Sequence, residues 1–202
     1  MLSYNNIRQF ETILSINKTR AYSLSLKGET MKVFEEISSV RKLTVSAVVM
    51  ALYIAVMFVT QSFAFGAIQV RIATSLYAIG ALNPFFILPL GLANALSNLL
   101  FGGLGIWDII GGFVVGIMTA TACWMASKAE SRIGMVLIAF SIILIPGLIA
   151  PIWLSTLLSE ATYTGLVVSL LLGQTIPGIV GAILYKNIIL KEGFINAISG
   201  RK

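Results

Sequence analysis

From Leu43 to Tyr185 the chain is a succession of apolar runs, parted only by short polar, proline or glycine punctuation. A membrane-crossing helix needs about 20 mostly apolar residues to traverse a hydrocarbon layer about 30 Å thick. Runs of this kind leave little room for a soluble fold. Composition agrees: 57% of residues are hydrophobic and 11% charged, where a soluble domain carries roughly a quarter charged. The solvent for most of this protein is lipid.

The punctuation divides the runs into six expected spans. Span one covers about 43–60, with a loop at 61–71. Span two takes 72–82 and breaks at Asn83-Pro84. Span three, 85–101, ends in the glycine-rich turn Gly102-Gly103-Leu104-Gly105. Span four covers 107–126, followed by the polar turn from Ser127 to Arg132. Span five occupies 133–150 and is expected to break near Pro146-Gly147 and Pro151; span six occupies 163–185. Span two is short for a full crossing, so it either borrows from the loop before it or starts below the surface. Freed backbone groups at proline and glycine are tolerated only where neighbouring helices or a cavity satisfy them.

Several function classes drop out. The membrane portion is too short for a twelve-helix transporter. No G-x-x-x-x-G-K-[ST] loop is present to cradle phosphates. The chain has no His, which removes imidazole metal ligands and the base of a Ser-His or Cys-His pair. Its one cysteine, Cys123, excludes an internal disulfide and reads as buried packing beside Trp124. Neither an enzyme, a metal site nor a resident cofactor is indicated.

Charge sets the orientation. The 1–42 tail holds seven of the fourteen bases, and the rest include Lys128, Arg132, Lys186, Lys191, Arg201 and Lys202. With six spans and both termini cytoplasmic, thirteen of the fourteen fall inside, as the positive-inside rule requires. The expected architecture is an all-α integral membrane protein of the cell membrane. It has a basic tail (1–42), a six-helix domain (43–186) and a second basic tail (187–202). In the first tail Ile7, Phe10 and Leu14 recur at helical spacing, which allows a surface helix, and Met31 is an alternative start. The net charge of +6 is a topology signal and does not point to nucleic acid.

Arg71, Asp108 and Glu160 remain, alone in the external connections. Charges near a membrane usually line a cavity or pair, because burial at the bilayer centre costs about 2.5–3.5 kcal/mol. For Asp108, at the start of span four, a helix-dipole role competes. Glu160 reads equally well as a solvated helix end. Within the spans Thr74, Ser75, Tyr77, Asn94, Asn98 and Gln174 are polar, and Asn94 and Asn98 share a helix face one turn apart. Amides here either bond across helices or, with Gln69, Trp107 and Trp153, read the edge and face of a planar polar ligand. In span one, Ala47, Ala51 and Ala55 repeat every four residues, a smooth strip on which another helix packs closely. Gly112-x-x-x-Gly116 is a similar strip, read as internal packing.

Six spans with an A-x-x-x-A-x-x-x-A strip in the first resemble the substrate-binding (S) component of an energy-coupling factor transporter. Within that group, Gln69-x-Arg71, Asn94 and Asn98, and Leu104-Gly105 before Asp108 are similar to the QueT branch. The general plan covers about 43–186 and the QueT-like motifs under a third of the chain. The resemblance implies a heterocyclic substrate, a deazaguanine precursor of queuosine. It also implies partners: a transmembrane T component docked on the alanine strip and two cytosolic ATPase subunits. From the residues and the resemblance together, the expected binding set is Gln69, Arg71, Thr74, Tyr77, Asn94, Asn98, Trp107, Asp108, Glu160 and Gln174. The implied mechanism has Gln69 and Arg71 closing over the ligand, then the S component toppling in the membrane to release it inside. In that branch an acid follows the arginine near Thr74 or Ser75, and a glutamate stands at Gln174; this chain has neither. The alternative is a stand-alone secondary permease for a nucleobase- or vitamin-like molecule, although no ion-coupling acid is evident within the spans.

Overall fold

The computed structural model describes residues 35–64, 69–158 and 162–189, with isolated positions between 14 and 32. Helix α1 (Ser39–Ala64) precedes a 3₁₀ segment (Ile72–Ala81). A 3₁₀ turn (Pro84–Phe86) opens α2 (Ile87–Ser97), which widens into a π turn (Asn98–Gly102). Then come α3 (Ile106–Ala126), α4 (Ser131–Leu157) and α5 (Tyr163–Leu184), the last followed by a second π turn (Tyr185–Ile189). No strand occurs among the described residues.

Among the described residues, five helical stretches are long and apolar enough to cross a membrane: Ser39–Ala64, Pro84–Gly102, Ile106–Ala126, Arg132–Leu157 and Tyr163–Asn187. The expected second span is not one of them. Its 10 residues, Ile72–Ala81, form a 3₁₀ helix, which at about 2.0 Å per residue extends only about 20 Å. Every residue from Ala73 to Ala81 is buried, so the segment meets protein on all sides. It packs against α1, α3 and α5. Small side chains permit this: a Cβ at Gly80 would lie 2.9 Å from the Ala120 carbonyl oxygen. The segment runs in the same sense as α5, since Gln69 abuts Gly173 and Ser75 abuts Gly181.

The punctuation at Asn83-Pro84 is a helix start. The Asn83 side chain accepts from the Phe85 N–H at 2.9 Å, with proline in the first helical turn. In the glycine turn, Gly103 has φ 68° and Gly105 φ 84°, backbone states that side-chain-bearing residues rarely adopt. Two other boundaries move. Span one reaches Ser39–Ala64. The fifth does not break at its prolines, because α4 carries Pro146 and Pro151 internally and continues to Leu157. Both prolines are buried. The α4–α5 pairing is the most extensive in the bundle, and Gly147 lets Leu171 approach to 2.5 Å of where a Cβ would sit. Tertiary packing holds the helix through two missing backbone donors.

Two apolar clusters result. The larger gathers Tyr53, Met57, Tyr77, Phe86, Leu90, Ile138 and Ile142 around the 3₁₀ segment. The smaller centres on Leu154, Leu166 and Leu170, with Leu104, Ala150 and Trp153 packed against it.

Candidate functional site

Beside the smaller cluster lies a cleft. It is lined by Gln69, Arg71, Thr74, Asn94, Asp108 and Gln174 together with Leu104, Gly112, Val115, Pro146, Ala150, Trp153, Leu154 and Leu170. Its atom-free space is about 510 Å³ when the open mouth is counted. Thr74, Asn94, Asn98, Asp108 and Gln174 are each at most 5% exposed, which makes this a buried polar layer inside an apolar bundle. Buried polar groups in a membrane are costly unless paired, and most of these are paired.

The pairing begins in the chain segment before the 3₁₀ helix. The Val70 N–H donates to the Phe63 carbonyl at 3.0 Å, folding 69–71 back over the end of α1. A Cβ at Gly173 would overlap the Gln69 carbonyl, so glycine there is what lets this segment pass directly beside α5. The Arg71 guanidinium donates through Nη2 to Asn98 Oδ1. Asn98 in turn donates to the Asp108 carbonyl at 2.9 Å, and Asn94 to the Gly112 carbonyl at 2.7 Å. The shared face of the two asparagines therefore stitches α2 to α3, while Asn98 also holds the arginine. Gly112 is the space this requires, because Asn98 Nδ2 sits 2.5 Å from its would-be Cβ. A Cβ at Gly116 would likewise lie 2.8 Å from Gly91 Cα, so the glycine strip is internal packing.

Asp108 lies in the first turn of α3, where the helix dipole favours a negative charge. It is also buried, and its Oδ1 accepts the Trp153 indole N–H at 3.2 Å. The two roles coexist. Trp107, adjacent in sequence, is 66% exposed and does not line the cleft. Successive helix residues point about 100° apart, so Trp107 and Asp108 cannot face one way. The aromatic wall comes from Trp153 on α4, admitted by Gly111, whose Cβ would be 2.5 Å from the indole.

Tyr77 is fully buried one layer beneath the lining. Its hydroxyl is 3.4 Å from that of Tyr53, which donates to Asn94 Oδ1 at 3.3 Å. Tyr53, on α1, was not marked by any local motif; its apolar surroundings in the sequence give no hint of a polar neighbour. Thr74 Oγ1 lies 2.7 Å from both the Arg71 carbonyl and Gln174 Oε1. Glu160 lies outside the described residues. Ala47, Ala51 and Ala55 are exposed on α1, on the face opposite buried Val49, Tyr53 and Met57.

The arrangement suits recognition of a small planar molecule. It offers a guanidinium, a carboxylate, two kinds of amide and an indole around one cleft, and the described residues contain no group of three potential metal ligands. No curated protein and no solved structure matches the chain. Residues 43–189 match the QueT transporter family, and the chain belongs to that family: it is a multi-pass membrane transport protein, not an enzyme.

Proposed function

We propose that this chain is the substrate-binding subunit of an ATP-driven energy-coupling factor uptake transporter, and that its cleft takes a queuosine precursor, a deazaguanine base or a closely related heterocycle. The observation that carries the reading is the buried polar layer that lines the cleft. Such a layer has no packing advantage over apolar residues, and it combines edge-reading groups (Arg71, Asn94, Gln174) with the Trp153 indole as a stacking face. Membership of the QueT transporter family supports the substrate class.

The remaining parts fit the same reading. In this reading the 3₁₀ segment, which runs alongside α5 and in its direction, counts as a sixth traversal, and the distribution of bases puts both termini in the cytoplasm. Its shortness matters less where protein, not lipid, surrounds it. The chain carries no phosphate loop, so ATP hydrolysis belongs to partner subunits. The exposed alanine face of α1 is the docking surface for a transmembrane T component, which carries two cytosolic ATPases. The ligand enters from outside, and toppling of the subunit delivers it inward.

Mass spectrometry of the small molecule that co-purifies with the detergent-solubilised protein tests this. A deazaguanine or related base is the expected result. Saturable uptake that persists without ATPase partners would return the function to a secondary permease.

A further inference from the structure

We infer that Gln174 sets the charge selectivity of the cleft, presenting one neutral hydrogen-bonding atom that favours an uncharged heterocycle with an edge N–H over a cationic derivative of the same base. This rests on the cleft being the ligand site.

Gln174 is completely buried, lines the cleft and has an Nε2 with no hydrogen-bond partner among the described residues. An unmet buried amide group is costly, so a fold that keeps one on a residue lining a cleft has a use for it. The other end of the amide is pinned, with Thr74 Oγ1 at 2.7 Å. That hydroxyl has one proton and two acceptors in reach, Gln174 Oε1 and the Arg71 carbonyl, both at 2.7 Å. It cannot serve both. A half-turn of the amide, which exchanges nearly identical atoms, resolves the conflict. Gln174 Nε2 then donates to Thr74, and Thr74 donates to the Arg71 carbonyl. Every proton is used once. The atom left without a partner on this cleft-lining residue is then Oε1, an acceptor for a ligand N–H.

The charge argument is separate. Among the described lining residues there is one base, Arg71, and one acid, Asp108. Oδ1 of that acid already accepts the Trp153 indole N–H. An ammonium group entering this layer loses its hydration, and the described lining residues, formally neutral together, give it no surplus carboxylate in return. A neutral ligand avoids that cost and still meets the Gln174 acceptor.

The test measures the affinities of the purified full-length protein for two probes by calorimetry. One is 7-deazaguanine bearing a nitrile at position 7, the other the same base bearing an aminomethyl group. The native protein is expected to prefer the nitrile. Gln174→Glu should shift the ratio of the two dissociation constants toward the aminomethyl base by about tenfold or more. Gln174→Met, of similar length and uncharged, should weaken the nitrile base by about tenfold. A ratio is insensitive to partial loss of folded protein, so a destabilised variant still gives an answer. If the native protein prefers the aminomethyl base, or if Gln174→Glu leaves the ratio unchanged while binding persists, the inference fails and the cleft reading stands. If the native protein binds neither base, the proposed function itself fails.

Discussion

Helix α1 and the 72–81 segment follow one another in the chain and are both strongly apolar, yet they meet different surroundings. In α1 only 17% of the most apolar window is buried, against 33–44% in the other four long helices. It lies at the edge of the bundle, with Val49, Tyr53 and Met57 inward and Ala47, Ala51 and Ala55 outward. The 72–81 segment is buried over nine consecutive residues. Apolarity alone does not separate these cases, since a lipid tail and a neighbouring leucine are equally good solvents for an alanine. Size separates them. In the wrapped segment the small residues Ser75 and Gly80 stand where another backbone passes close, whereas α1 carries Leu52, Phe58 and Val59 on its exposed side.

The largest effect should come from filling the wrapped segment. Gly80→Leu drives its side chain into the Ala120 backbone, and overpacking of this kind costs about 1–3 kcal/mol or more. A much lower thermal midpoint in detergent is expected, with ligand binding lost. An unchanged midpoint would mean that the segment is not held as tightly as its burial implies.

Next is the outer face of α1. Under the proposed function, Ala51→Trp leaves the fold and ligand affinity intact, because the position is exposed, but abolishes uptake in vesicles containing the partner subunits. Equal loss of binding and uptake would remove the docking assignment. The smallest effect belongs to the inner face. Tyr53→Phe deletes a hydroxyl bonded to Asn94, and interhelical hydrogen bonds in membranes average about 0.6 kcal/mol. A modest fall in thermal midpoint is expected. A loss beyond about 2 kcal/mol would show that polar contact, more than packing, fastens α1 to the bundle.

The site was partly legible for the same reason. Charged and amide residues in a nearly uncharged sequence stand out, so Arg71, Asn94, Asp108 and Gln174 could be singled out, and the structure gathers them around one cleft. Their partners could not be read in advance. Trp107 and Trp153 are equivalent as letters, and only helix rotation turns one outward and brings the other to Asp108. Tyr53 joins the polar layer across 41 positions of chain. Pro146 and Pro151 read as helix stops, and the α5 surface overrides them.

The sequence by itself determined the solvent, the helical class and most of the boundaries. These depend on local quantities: the length of an apolar run, the cap at Asn83-Pro84, the left-handed glycines of the 102–105 turn. It also fixed the unusual residues from which a site would be made. The tertiary structure decided which apolar segment faces lipid and which is enclosed. It decided that Asn98 holds Arg71, and that Gln174 has one amide atom without a partner among the described residues. Those outcomes depend on which side chains meet across helices. Residues 27 and 100 positions apart in the chain, such as Arg71 with Asn98 and Thr74 with Gln174, acquire their roles only when the bundle closes.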